Sequence, residues 1–246
     1  MIARERILAR LDEHLAKNDY AAAERHLCYW AAEARAARDT AAELLVESEL
    51  MGIYRKCGRR EDALAAAERG IALVRRLGIA HQVGAATVML NAATVFKAFG
   101  QTDDAIALFR EVTSVYEAEL SPEDVRLAGL YNNMALALVD AGAYAEAREL
   151  YARALVLTER RPEDAPEAAV TCLNLASAAE AELGPETAAE EIGLLLDRAE
   201  AHLEAAPVRD ANYAFVCEKC APVFDYYGRF FFAEEIARRA EEIRRA

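Results

Sequence analysis

Three segments of the sequence align without gaps and decide the fold: YRKCGRREDALAAAERGIAL at 54–73, FKAFGQTDDAIALFREVTSV at 96–115 and LVDAGAYAEARELYARALVL at 138–157. Each segment carries a glycine followed five residues later by an alanine, and the glycines, Gly58, Gly100 and Gly142, are 42 residues apart. A fixed period of this length is typical of repeat architectures, in which each repeat is one small unit of secondary structure. The sequence therefore predicts an array of similar repeat units.

The same period extends toward both ends of the chain with weaker matches. Asn18 takes the glycine position upstream, and Gly184 and Gly228 take it downstream, which gives spacings of 40, 42, 42, 42 and 44 residues. Asparagine is the other residue that tolerates the left-handed backbone of a tight turn. We predict a single array without a second domain, with repeat units at about 2–38, 40–78, 82–120, 123–160, 165–205 and 210–246.

Apolar residues recur at helical spacing on both sides of each turn, as in Ala93 and Phe96 before Gly100 and Ala105 and Phe109 after it. This spacing predicts a helical hairpin in each repeat unit. The composition agrees, because 56 alanines and only 17 glycines plus prolines among 246 residues favour long helices over strands. The predicted fold class is all-α.

Small residues at equivalent positions predict where helices touch. They are Ala93, Ala135 and Ala176 in first helices and Ala63, Ala105 and Ala147 in second helices. Because an alanine adds little side-chain volume, we expect helix backbones to approach closely there. The bulky residues Phe109 and Tyr151 would then fill the gaps toward the next hairpin.

The charge balance limits the classes of partner. The chain has 42 acidic and 29 basic residues and a formal net charge of −13, whereas nucleic acid and anionic membranes require clustered Lys and Arg. No stretch approaches the roughly 18 consecutive apolar residues of a membrane-spanning helix. We therefore expect no nucleic-acid partner and no membrane partner.

The cysteines and the first residues predict the compartment. Five cysteines, an odd number, are scattered along the chain, and the start, MIARERILARLDEHLAK, is amphipathic and charged. It lacks the continuous apolar core of a signal peptide. We expect a reduced, cytoplasmic protein.

Residues that favour a first helical turn mark several helix starts. The run SPED at 121–124 predicts Ser121 as an N-cap, followed by a proline and two acids at the positive end of the helix dipole. Pro162 and Pro185 mark two further starts. Pro222 lies inside the last first helix, and we expect it to interrupt or kink that helix.

The 42-residue spacing, the Asn-x-Ala segments and the Pro-Glu-Asp linkers resemble the tetratricopeptide repeat (TPR) family. They are most similar to its long-repeat subclass, the kinesin-light-chain type of repeat. The Asn-x-Ala segments are NAA at 91–93, NMA at 133–135 and NLA at 174–176. The resemblance implies a right-handed α-solenoid of about six helical hairpins, with the first helices lining a concave groove and no catalysis.

Three asparagines stand at matching positions of this implied groove: Asn91, Asn133 and Asn174, with Asn132 beside the second. A carboxamide offers two donors and an acceptor, so a row of them can hold the backbone of an extended peptide. The alternative is that these asparagines bond to neighbouring helices and only stabilise the stack. Both interpretations stay open from sequence alone.

Charged residues at other groove positions predict a gradient. Basic residues near its start are Arg55, Lys56 and Lys97, although Glu49 lies among them, and acidic residues toward its end are Asp140, Glu180 and Asp225. Complementary potential would place an acidic part of a peptide over the N-terminal repeat units. The alternative is a solvated charged face.

No motif indicates catalysis or metal binding. The single CxxC motif, Cys217 to Cys220, lies in a predicted helix and lacks the two further ligands of a zinc site, so we interpret these cysteines as small buried residues. The 4 histidines are isolated in sequence, and phosphate-binding and nucleophile motifs are absent. We expect no enzymatic activity, no cofactor and no metal.

The last repeat unit is rich in aromatic residues. Phe230, Phe231 and Phe232 are adjacent and cannot all face the interior of one helix. With Tyr226 they form a candidate interface, either a homodimer contact or a hydrophobic anchor for a ligand. The alternative is ordinary core beneath a final helix that caps the array.

These features predict a non-catalytic adaptor or scaffold that binds a protein or peptide, with an acidic segment, in its groove. Asn91, Asn132, Asn133 and Asn174 would hold the ligand backbone. Two alternatives remain: a bacterial-type receptor for a short signalling peptide, which the resemblance implies, and a homo-oligomeric structural element assembled through the C-terminal aromatic residues.

Overall fold

The computed structural model describes residues 2–245, which form twelve α-helices and one short 3-10 helix without a β-strand. The prediction of an all-α fold of helical hairpins is confirmed. Within this range no helix combines the length and the apolar character that crossing a bilayer requires. Met1 and Ala246, the latter ending the sixth predicted repeat unit, lie outside the described residues.

The chain divides into two compact halves, Met1–Ser121 and Pro122–Ala246, which we call the N-terminal half and the C-terminal half. Each half holds three hairpins, and in each hairpin we call the earlier helix the first helix and the later one the second helix. Whether the six predicted repeat units form one continuous array stays a prediction.

The N-terminal half contains six helices. They are α1 (Arg4–Ala16), α2 (Tyr20–Ala36), α3 (Thr40–Lys56), α4 (Arg60–Leu77), α5 (Val83–Ala98) and α6 (Thr102–Glu119). Each helix packs against its neighbour in the chain, and the first helix α5 packs also against the preceding first helix, α3.

The C-terminal half repeats this order. It contains α7 (Val125–Asp140), α8 (Tyr144–Thr158), the 3-10 helix (Pro162–Asp164), α9 (Ala165–Leu183), α10 (Pro185–Ala205), α11 (Ala211–Tyr226) and α12 (Phe230–Arg245). The first helix α9 contacts both α7 and α11. First helices therefore lie side by side, and their free faces form one surface within this half.

The turns adopt the left-handed backbone that the sequence predicts. The φ angle is +53° at Asn18 and +74° at Gly142, and the other four predicted turn glycines also have positive φ. A Cβ is strained in this region, so Gly and Asn are favoured there. Arg38 has φ +52° in the turn before α3, which the sequence does not indicate because arginine is uncommon in this conformation.

Alanines are buried where helices pack against each other, as predicted. All six are 0 % exposed: Ala63, Ala93, Ala105, Ala135, Ala147 and Ala176. The bulky Phe109 and Tyr151 are also 0 % exposed. Small residues let helix axes approach to the short end of the usual ~8–10 Å, and large ones fill the space between hairpins.

A buried carboxylate joins three helices of the N-terminal half. Glu47 of α3 is 1 % exposed, and it accepts hydrogen bonds from Arg35 of α2 at 2.6 Å and from Nε of Arg69 of α4 at 3.1 Å. A buried charge is tolerated when it is both paired and hydrogen-bonded. This network fixes α3 between its two neighbours.

Two expectations about helix ends and breaks are wrong. The N-cap of α7 is Asp124, whose side chain accepts from the Arg126 amide at 3.0 Å, and not Ser121, because the backbone stays extended at Asp124. Pro222 does not interrupt α11, which continues from Ala211 to Tyr226. Pro222 lies inside the helix, where it removes one backbone donor, the one that would bond to the carbonyl of Glu218.

Candidate peptide-binding site

A cavity of about 360 Å³ lies between the first helices α7, α9 and α11 of the C-terminal half. Four asparagines line it: Asn132 and Asn133 from α7, Asn174 from α9 and Asn212 from α11. Aliphatic side chains of all three helices form the rest, together with Glu167, Phe215, Lys219 and Cys220. We call it the asparagine cavity, and it brings together three of the four asparagines predicted to contact a peptide.

Helical spacing explains this convergence. Residues three or four positions apart share a helix face. Glu167 and Asn174 lie two turns apart on α9, and Phe215 and Lys219 lie one turn apart on α11. Because the three first helices lie side by side, each contributes one face to the same cavity.

The Asn132 carboxamide is held at one end only. Its Nδ2 donates to the Thr171 hydroxyl at 2.8 Å, and that hydroxyl donates to the Glu167 carbonyl at 2.9 Å. The Oδ1 atom of Asn132 is buried and has no hydrogen-bond partner among the described residues. A buried acceptor without a donor is costly, so this oxygen favours a donor brought by another molecule.

Glu167 repeats this arrangement with a charged group. One carboxylate oxygen, Oε1, accepts from the Asn212 amide at 3.0 Å. The other, Oε2, is buried and lacks a partner within residues 2–245. The cavity wall therefore contains two unsatisfied oxygen acceptors, one on Asn132 and one on Glu167.

Asn133 and Asn174 keep their amides available. Both side chains are half-buried, and neither makes a hydrogen bond to any of the described residues. Each amide can give two donors and one acceptor. Their geometry suits contacts to the amide and carbonyl groups of an extended chain.

An aromatic ring and a cation form the α11 wall of the cavity. The Lys219 ammonium lies 4.3 Å from the ring centroid of Phe215, which is a cation–π distance. Phe215 is 38 % exposed. The wall thus offers an apolar contact beside a positive charge, while Glu167 supplies a negative charge from α9.

The other predicted contact residues belong to the N-terminal half and do not line this cavity. Asn91 donates to the Ser48 hydroxyl of α3 at 2.7 Å, so part of its amide joins two first helices. Arg55 is exposed, Lys97 is half-buried, and the Lys56 ammonium lies 5.1 Å from the Tyr20 ring of the second helix α2. Their role in ligand binding stays a prediction.

Comparisons with known proteins identify the type of repeat that these hairpins form. Two family models, both described as tetratricopeptide repeat, match residues 40–118 and 127–161. Residues 40–118 and 127–161 are therefore tetratricopeptide repeats. No curated protein matches the sequence.

Solved structures of other proteins share the fold. BtubC (BKLC) from P. vanneervenii superposes with a TM-score of 0.70 at 21 % identity, covering 82 % of this chain and 80 % of that one. The kinesin light chain TPR-like repeats of Podosopora anserina give a TM-score of 0.57 at 20 % identity, covering 80 % of this chain and 92 % of that one. The predicted similarity to repeats of the kinesin-light-chain type is confirmed at the level of the fold.

The acidic positions of the predicted TPR groove differ in their surroundings. Glu180 accepts hydrogen bonds from the Tyr226 hydroxyl at 3.1 Å and the Tyr227 hydroxyl at 2.9 Å. Burial raises the pKa of Tyr227 to about 12, and burial also raises the pKa of Glu49. Asp225 is exposed on α11. Glu180 therefore contributes to packing between α9 and α11.

The C-terminal aromatic residues fall into two groups. Phe232 packs edge-on against the buried Phe224, with ring centroids 4.9 Å apart. Phe230, Phe231 and Tyr226 are 61 %, 91 % and 70 % exposed. Whether the exposed residues mediate a homodimer stays a prediction.

The two CxxC cysteines of α11 differ in position, because Cys220 lines the asparagine cavity and Cys217 does not. Both Cys217 and Cys220 are buried, and burial raises the pKa of the Cys220 thiol to about 12. Among the described residues, no three His, Cys, Asp or Glu side chains come together in a group that could hold a metal ion. Both thiols are therefore small buried side chains, as the sequence predicts.

Sequence reasoning missed Glu167 and Asn212. They lie seven residues, or two helical turns, before the repeat positions of Asn174 and Lys219, so the 42-residue period of the asparagines does not include them. The signal that finds them is helical spacing within α9 and α11, which places both residues on the face that carries Asn174 and Phe215.

Proposed function

We propose that this TPR protein is a non-catalytic adaptor that binds an extended segment of a protein partner in the asparagine cavity. TPR folds are in general protein-interaction scaffolds, and this chain carries the repeats in both halves. The observation that carries the proposal is the convergence of Asn132, Asn133, Asn174 and Asn212 on one cavity of about 360 Å³.

Backbone recognition is the chemistry that this wall supports best. A peptide in extended conformation presents alternating N–H donors and C=O acceptors, which carboxamides match without reading the side chains. The available amides of Asn133 and Asn174 supply both kinds of group. Ligand donors would also satisfy Oδ1 of Asn132 and Oε2 of Glu167.

The charges of the site favour a ligand segment that carries both a positive and a negative group. Glu167 lines the cavity on α9 and Lys219 lines it on α11. A basic ligand group near Glu167 and an acidic one near Lys219 would fix the direction of the bound chain. We keep the attraction of an acidic segment by Arg55, Lys56 and Lys97 as a further part of the proposal.

Peptides selected from a random displayed library on the immobilised chain test this proposal. For a selected peptide, the double variant Asn133→Ala/Asn174→Ala should weaken binding by about tenfold or more, because each lost hydrogen bond contributes about 1 kcal/mol. Fluorescence anisotropy measures the affinity, and circular dichroism checks that the fold is kept.

A matched control replaces two exposed polar residues of a second helix in the same half, Thr187 and Glu190 of α10. Thr187→Ala/Glu190→Ala should leave the affinity unchanged. Equal affinities of the wild type and the folded asparagine variant would remove the assignment. A cytoplasmic location, a signalling-peptide ligand and a homodimer stay predictions.

A further inference from the structure

A second groove, of about 630 Å³, runs between α11 and α12 on the side away from the asparagine cavity. Its floor consists of small residues, Ala221 and Pro222 from α11 and Ala233 and Ala237 from α12, and Phe230 closes one end. We call it the end groove. Two floor residues, Pro222 and Ala237, are exposed to solvent in the described part of the chain.

The repeat period shows what such a groove holds in other hairpins. Ala237 stands nine residues after its turn glycine, and the residues at that position of two earlier hairpins, Ala67 and Tyr151, are 0 % exposed. In those hairpins the first helix of the following hairpin, α5 or α9, packs on the second helix. By its repeat position and composition the end groove is therefore equivalent to a surface on which an α-helix packs.

Aromatic side chains extend the apolar surface at the turn. Phe230 lines the groove and is 61 % exposed, and Phe231 beside it is 91 % exposed. Large aromatic side chains dominate the energetics of interfaces when a partner covers them. Two adjacent exposed phenylalanines beside the end groove indicate an interaction surface.

The charges along the groove are acidic. Asp225 of α11 and Glu234 of α12 line it, and neither forms an ion pair with any described residue. A third acid, Glu218, is paired with Arg244 at 2.6 Å. The rim thus offers two uncompensated carboxylates, one on each helix.

We propose that the end groove binds a basic amphipathic α-helix of a partner protein. The apolar stripe of that helix lies on Ala221 and Ala237 and against the Phe230 ring. Its Lys or Arg side chains pair with Asp225 and Glu234. This surface is separate from the asparagine cavity, so the chain would join two partners.

The charges disfavour a second copy of this chain as the occupant. A symmetric contact brings the same face against itself and would place Asp225 and Glu234 near like charges. The helix α1, which a head-to-tail contact would supply, carries three arginines and three acidic residues and is not basic overall. Its apolar residues Ile7 and Leu11 are already buried in its own half.

A pair of synthetic helical peptides of about 18 residues tests the proposal, a length at which an isolated amphipathic helix can form. Both carry leucine at helical spacing; the basic probe has Lys and Arg on the polar face, and the acidic probe has Glu there. Anisotropy with the whole chain should show saturable binding of the basic probe and none of the acidic probe.

Charge reversal separates specific from general attraction. Asp225→Lys/Glu234→Lys should weaken binding of the basic probe by about tenfold or more. The control Glu186→Lys/Glu190→Lys makes the same change in net charge on exposed residues of α10 and should change it by less than about threefold. Equal losses in the two double variants would overturn the proposal.

Filling the end groove with a large side chain gives an independent test of probe binding. Ala237→Trp places a bulky side chain on the exposed floor and should abolish probe binding while the circular dichroism spectrum is kept. Sedimentation at rising concentration should find no self-association through this face. Self-association that Ala237→Trp removes, or unchanged probe binding in that variant, would contradict the proposal.

Discussion

The Asn132 carboxamide of α7 donates from Nδ2 to the Thr171 hydroxyl of α9 at 2.8 Å, while its Oδ1 has no partner among the described residues. One side chain therefore joins two helices and keeps an acceptor in the wall of the asparagine cavity. The structural and the ligand-binding interpretations of the asparagines are compatible, because each uses a different end of the amide.

The bond between Asn132 and Thr171 should be visible in stability. Thr171 is 0 % exposed, and Thr171→Val keeps its shape but leaves the Asn132 donor without an acceptor. The free energy of unfolding in urea should fall by about 1–2 kcal/mol. The control Thr187→Val alters an exposed residue without a side-chain hydrogen bond among the described residues and should change it little. Equal stabilities would refute this role.

The N-cap of α7 predicts a pH dependence. The Arg126 side chain, hydrogen-bonded to Asp124, lowers the pKa of that carboxyl from 3.8 to about 2. Between these values the unfolded chain binds more protons than the folded one, so this stabilisation is present above about pH 4 and is lost as the pH falls toward 2.

Asp124→Asn tests that linkage, because asparagine is also a good N-cap and only the ionisable group is removed. Urea unfolding at several pH values from about 2 to 5 should show a shallower fall of stability in the variant than in the wild type. A fall of the same steepness in both chains would contradict the assignment.

Much of the fold follows from the sequence because its signals are local. The turn residues Asn18 and Gly142 stand where the backbone is left-handed, and alanines such as Ala63 and Ala135 are buried at the helix contacts. The prediction of Ser121 as the N-cap of α7 is wrong, because Asp124 is an equally good capping residue and the sequence does not distinguish them. The N-cap is the last residue before the backbone becomes helical, and the backbone at Asp124 is still extended.

Burial predicts which thiols react. Cys28 and Cys57 are exposed, whereas Cys172, Cys217 and Cys220 are buried. Burial raises the pKa of Cys172 to about 11 and that of Cys220 to about 12, so little thiolate forms at neutral pH. Mass spectrometry after brief alkylation of the native chain should find only Cys28 and Cys57 modified. Denatured chain, as the control, should react at all five; equally fast alkylation of Cys220 in the native state would be inconsistent with its burial.

The adjacent phenylalanines of α12 should differ in their effect on stability. Phe232 packs on Phe224 with a centroid distance of 4.9 Å, so Phe232→Ala should lower the free energy of unfolding by about 1–3 kcal/mol. Phe231 is 91 % exposed, and Phe231→Ala should stay within about 0.5 kcal/mol of the wild type. Equal losses in urea unfolding would show that Phe231 is covered in solution.

The candidate site is less predictable than the fold. Asn133 and Asn174 follow from the repeat period. Glu167 and Asn212 lie two turns earlier in α9 and α11, and their hydrogen bond depends on which turn of α9 faces which turn of α11. The bond from Asn91 to Ser48 links two helices through positions 43 residues apart. The sequence shows that such amides are polar and lie at partly exposed positions. It does not show whether they hydrogen-bond to another side chain of the same protein.

The most direct test of the central claim is side-chain amide NMR of the isotope-labelled chain, titrated with a library-selected peptide. Binding in the asparagine cavity predicts saturable shifts of the side-chain amide resonances of Asn133, Asn174 and Asn212. If these three amides are unmoved at saturation and shifts appear only elsewhere, the cavity is not the peptide-binding site.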